Sequence, residues 1–115
     1  MYQKEEITIP ELFQQRLTKE RSVKALRARA KEGILVFIRE DGRTQLFDRQ
    51  LSVIRVLAAR KCKGIGITWG KLSRVFKDLD DGNPSLNEQI IEWLNSGLLQ
   101  NEVIEKTKEI IKKEL

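Results

Sequence analysis

The stretch SVKALRARAKEGIL, residues 22–35, sets Lys24, Arg27, Arg29 and Lys31 around two small residues, Ala25 and Ala28, directly after Arg21. Long cationic side chains reach phosphates or base edges, and small ones let a helix backbone come close to a polyanion. At about 100° per residue, Val23, Leu26 and Ala30 share one face. Arg21, Lys24, Ala25 and Ala28 fall roughly opposite, with Lys31 at their border, Arg29 on the far flank and Arg27 near the core edge. The expected chemistry is therefore electrostatic contact and base-edge readout by Arg21, Ser22, Lys24, Arg27 and Arg29. A purely solvated helix, with Arg27 covering apolar surface through its methylenes, is the plainer alternative.

Catalytic chemistry has little to work with. There is no histidine and one cysteine, Cys62, among 115 residues, which argues against a zinc site, a histidine-based triad or an internal disulfide. GIGITWG, residues 64–70, has glycines but no following Lys-Ser or Lys-Thr, so it is not a phosphate loop. Asp80 and Asp81 lie in a turn signal without a partner base. Cys62 stands between Lys61 and Lys63, where nearby positive charge is expected to lower a thiol pKa. Neither an enzyme nor a bound cofactor is expected.

The elements that position the cations are legible as caps and periods. Thr8 with Glu11 forms a capping box, Pro10 suits a first turn, and Ile9, Leu12 and Phe13 give a short helix fading by Gln15 or Arg16. Ser22 caps a second helix and Gly33 sits where a left-handed residue ends it. Ile34 to Ile38 is a β-rich run, Asp41-Gly42 a hairpin signal, and Thr44 to Phe47 the return strand, with Arg39 and Arg43 flanking the turn. Asp48 caps a third helix with Leu51, Ile54, Leu57 and Ala58 inward. Lys61 and Lys63 add a basic cluster at its end and, with Arg39 and Arg43, join the expected DNA-contact residues. Thr68 and Ser85 cap a fourth and a fifth helix, in which Trp69 and Trp93 are read as core. The fold class expected is mainly α with a small β-hairpin: a winged helix-turn-helix over residues 1–78 and a helical region over 79–115.

Charge divides along the same line. Residues 1–76 hold 17 Lys or Arg against 8 Asp or Glu, and residues 77–115 hold 5 against 9; +9 and −4 sum to the net +5. A basic front meets an anion and an acidic tail keeps clear of it. The last helix carries Val103, Thr107 and Ile110 on one stripe, with Ile104, Ile111 and Leu115 beside it and Leu98 and Leu99 at its start. Such a stripe needs a partner, and a second copy of the chain is expected to supply it, giving a homodimer. No apolar run approaches the roughly 20 residues of a membrane span, and the first residues lack the apolar stretch of a signal peptide. Both features point to the cytoplasm, on the nucleoid.

The order of these parts resembles the MerR family of bacterial transcription regulators. ITIPELF resembles the family's opening helix, SVKALRARAKEGIL its second helix and turn, DGRTQLFD its wing, and GIGITWGKL the turn into its fourth helix, over roughly residues 7–76. The resemblance implies a winged helix-turn-helix, a homodimer and a pseudo-palindromic promoter site. It assigns Lys24 and Arg27 to the recognition helix and, loosely, Arg43 to the wing. The family's tyrosine pair is replaced by Ala28 and Arg29, so its aromatic contacts do not carry over. The family's metal-sensing cysteines and drug-sensing domain find no counterpart, so the expectation is an effector-independent repressor. An architectural or recombination accessory factor, like phage excisionases or small terminase subunits, is the second reading. A protein–protein adaptor with a basic face is the third.

Overall fold

The computed structural model describes residues 1–115. The chain forms six helices, 57% of its residues, and a three-stranded antiparallel sheet. In chain order the elements are β1 (Glu6–Ile7), α1 (Ile9–Gln14), α2 (Val23–Lys31), β2 (Phe37–Asp41), β3 (Thr44–Asp48), α3 (Arg49–Cys62), α4 (Trp69–Asp80), α5 (Leu86–Asn95) and α6 (Gln100–Glu114).

Side-chain caps start five of the six helices. Thr8 Oγ1 accepts from Glu11 N while Glu11 Oε1 accepts from Thr8 N, the reciprocal capping box. Ser22, Asp48, Thr68 and Ser85 each accept from the backbone N–H three residues on, satisfying donors that have no partner inside the helix. The connection from α1 to α2 bends through left-handed backbone at Arg16 and Lys19. Thr18, buried in that bend, accepts from Glu20 N at 3.3 Å.

The hairpin turns at Asp41-Gly42, with Gly42 at φ +65°, and pairs Asp41 with Thr44 and Arg39 with Leu46. The β-rich run begins its ladder only at Phe37, not at Ile34. Ile34 and Leu35 are buried in the core, and the carbonyls of Gly33 and Ile34 accept from the Arg55 guanidinium at 2.8 and 2.9 Å. The N–H groups of Ile34 and Leu35 donate to the Arg29 carbonyl at 3.0 and 3.4 Å, so the segment closes the end of α2 instead of pairing as strand. Residues Glu6 and Ile7 add a short third strand against β3.

Nine of the fourteen residues of α3 are buried, as expected of a helix that is covered on every side. Among them is Arg55, 1% exposed. Its guanidinium also donates to Asp80 Oδ1 and Oδ2 at 2.7 and 2.9 Å and to Asn87 Oδ1 at 2.8 Å. The end of α2, the end of α4 and the start of α5 are thereby joined through one side chain.

The tail departs from expectation. Val103, Ile104, Thr107 and Ile111 are buried in the chain's own core, where α6 packs chiefly on α3 and also on α4 and α5. The apolar stripe has its partner within the chain, so these four residues are not a dimer surface. Leu98 and Ile110 are half-buried, and Leu99 and Leu115 are exposed. One apolar core runs from Ile7 to Ile111, across the boundary expected near residue 78.

Removing the Arg55 guanidinium strands two inward-facing carbonyls and two polar side chains. We expect Arg55→Met to lower unfolding free energy by about 3 kcal/mol, within the range for breaking a buried, hydrogen-bonded charge. Asp80→Asn, at a carboxylate that water partly reaches, should cost markedly less. Urea titration of both variants checks the ranking, and an Arg55→Met protein as stable as wild type would refute the cross-link.

Candidate nucleic-acid interface

Residues 24, 27 and 31 recur at i, i+3 and i+7, so they line one face of a helix. Lys24, Arg27 and Lys31 are all exposed on α2, with half-buried Ala28 on the same face and exposed Arg21 just before the Ser22 cap. The Ser22 hydroxyl oxygen accepts from Ala25 N at 3.0 Å, so its first role is to begin the helix. None of Arg21, Lys24, Arg27 or Lys31 has a carboxylate within ion-pair distance, whereas other cations of the chain do. Arg27 lines a groove of about 410 Å³ together with Arg43 from the hairpin tip. A neighbouring concavity of about 470 Å³ holds Arg27, Lys31 and the half-exposed Phe37. The result is a cationic ridge along α2 with the hairpin standing beside it.

Arg29 does not belong to this ridge. It is 6% exposed, with its Nε 2.6 Å from Glu32 Oε1 and its Nη1 3.7 Å from Glu20 Oε1. Its guanidinium carbon lies 3.4 Å from the centroid of the Trp69 ring. Arg29 is thus a buried cation held by two acids and an aromatic face, which removes it from the contact set. Burial raises the Glu32 carboxyl above its ordinary value, with Arg29 pulling the other way. Reading the period from Leu26 instead of Val23 puts Arg29 about 60° from the buried centre. Glu32 at i+3 was the further signal.

Arg39 is also engaged. It faces Glu6 in a two-pronged pair at 2.9 and 3.2 Å, fastening β2 to β1 across the sheet. Lys61 and Lys63 lie apart from the ridge, around a separate concavity of about 860 Å³ that Arg21 also lines. Lys61 Nζ meets Glu105 Oε1 at 2.5 Å, and the same carboxylate binds Lys108 at 2.6 Å. Lys63 donates to the Ile67 carbonyl at 3.0 Å.

Cys62 does not behave as its lysine neighbours suggested. The thiol is buried and its Sγ lies 3.6 Å from the Lys108 carbonyl oxygen. Burial pushes its pKa up, outweighing the opposing effect of Lys112 and Lys108. Trp69 and Trp93 are half-buried rather than fully enclosed. The residues that periodicity passed over are Arg55, which runs as one more letter in the apolar stretch LSVIRVLAA, and Lys19 and Arg60, which border the larger concavity. No group of three or more His, Cys, Asp or Glu gathers to hold a metal ion, and no helix is long and apolar enough to cross a membrane. No family model, curated protein or solved structure matches the chain.

The hydrogen bonds from Lys108 and Lys61 hold the Glu105 carboxyl down to about 2, from an ordinary 4.5. A depressed carboxylate stabilises the fold fully above the unfolded value and loses that contribution as pH falls through the folded one. The melting temperatures of wild type and Glu105→Gln should therefore differ above pH 4.5 and converge as pH falls towards about 2. A gap that persists undiminished at the acid end would exclude the paired carboxylate as its source.

Proposed function

We propose that this chain is a sequence-specific double-stranded DNA-binding protein that regulates transcription, with α2 entering the major groove and the β2–β3 hairpin resting beside it as a wing. The observation that carries the reading is the exposed stripe of Lys24, Arg27 and Lys31 on α2, none in an ion pair, with Arg27 lining a groove beside Arg43 of the hairpin tip and Glu40. A helix with its side chains is about 10–12 Å across, which the roughly 12 Å width of the major groove admits. The resemblance to MerR-type regulators over residues 7–76 agrees with this reading, on the motifs quoted above. Arg29 and Arg39 have no part in it, being held by Glu20, Glu32 and Glu6.

One observation favours an accessory factor over a palindrome-binding dimer. The α6 stripe that was to pair two copies lies inside the fold. A winged helix that binds as a single copy within a larger assembly has no need of such a stripe. The two readings differ in stoichiometry and in the symmetry of the site.

Selection from random duplex DNA, followed by light scattering on the complex, tests both. Enrichment of a defined sequence supports the proposal, and a symmetric site with two chains separates the dimeric regulator from the single-copy factor. Lys24→Ala with Arg27→Ala should weaken specific binding at least about 30-fold, since each lost contact costs about 1–3 kcal/mol. Lys31→Ala should weaken binding to all sequences and reduce the salt slope by about one. No enrichment, together with binding that ignores all three substitutions, would sink the reading.

A further inference from the structure

The larger concavity, about 860 Å³, is walled by the α1–α2 connection, the end of α3 and the first turns of α4 and α6. Five cations line it: Lys19, Arg21, Arg60, Lys61 and Lys63. Glu105 is the one carboxylate in the lining and is engaged by Lys61 and Lys108. Arg60 leans on Glu20 at 3.3 Å. Lys19, Arg21 and Lys63 have no acidic partner, so three uncompensated charges converge on one hollow. Its floor is apolar, formed by Leu57, Ile104 and the Trp69 side chain. Concave low-dielectric walls focus such a field on a small anion.

Arg60 and Lys61 have acidic partners and Lys63 donates to the Ile67 carbonyl, but no ion pair or side-chain hydrogen bond accounts for Lys19 or Arg21. Lys19 adopts φ +63°, a left-handed conformation that glycine takes without strain and lysine does not. The volume falls within the range of small-ligand pockets, about 300–1,000 Å³. A cationic rim over an apolar floor suits a molecule with a charged end and a non-polar or planar body. We propose that this concavity is a binding site for a small organic phosphate, with Lys19, Arg21 and Lys63 on the phosphate groups and Leu57, Ile104 and the Trp69 edge against the body. The site shares Arg21 with the start of the α2 ridge but none of Lys24, Arg27 and Lys31, so it does not depend on the DNA-binding reading. It would give the chain an effector, which the sequence did not lead us to expect.

Adenosine diphosphate serves as the probe, with pyrophosphate and a short DNA duplex as comparisons. The readout is Trp69 fluorescence in a Trp93→Phe background, checked by calorimetry at low salt. Saturable binding of the nucleotide at or below about 1 mM is expected, tighter than that of pyrophosphate. Lys63→Ala and Lys19→Gly should each weaken it about tenfold, and Lys24→Ala with Arg27→Ala should leave it unchanged. The Lys19→Gly protein removes a backbone strain, so its melting temperature should not drop appreciably. It therefore separates lost binding from lost folding. Three results would each overturn the proposal: no saturable response to the nucleotide, a response untouched by Lys19→Gly and Lys63→Ala, or a response to duplex DNA alone. The last would assign these cations to the DNA backbone instead.

Discussion

A single guanidinium holds the arrangement together. Burying a charge costs several kcal/mol unless its hydrogen-bonding capacity is met, and an arginine side chain offers five N–H donors. Arg55 makes five hydrogen bonds, to Ile34, Gly33, Asn87 and both oxygens of Asp80. With every donor matched, the charge becomes a fixed joint. Its carbonyl partners lie just beyond α2 and its side-chain partners at the adjoining ends of α4 and α5. The joint holds the segment that leaves α2, ahead of the start of β2 at Phe37.

Two arginines of α2 show why charge in a sequence does not map simply onto charge at a surface. Arg27 and Arg29 stand two positions apart on one helix, which points them to different sides. Arg27 meets solvent and Arg29 meets Glu20, Glu32 and Trp69. The acidic tail also reads differently in three dimensions. Asp80 neutralises Arg55 and Glu105 neutralises Lys61, so part of the negative tail is the counter-charge of the positive front. Its role is internal pairing as much as repulsion from an anion.

Local features were legible because their causes are local. A hydroxyl or carboxylate three residues before a helical N–H caps it wherever the rest of the chain goes, so Thr8, Ser22, Asp48, Thr68 and Ser85 could be named in advance. Gly33 and Gly42 likewise mark backbone that needs positive φ. What covers an apolar face is a long-range matter. Val103, Ile104, Thr107 and Ile111 announce a buried stripe, and their spacing is the same whether the cover is a second chain or α3. Arg55 was illegible for a related reason. Its partners lie at residues 33, 34, 80 and 87, and no window of neighbouring residues contains them. Arg29 was half legible, since Glu32 is one turn away while Trp69 is not.

The union of α6 with α3 has an implication for how this protein could have arisen. Here α3, the helix that follows the hairpin, is roofed by the last helix of the chain, and Asp80 and Asn87, from the tail side, complete its buried joint. The front half therefore cannot be passed to another protein by cutting and splicing near residue 78 without losing its ceiling and two of its clasps. Front and tail have to be inherited, and to change, together.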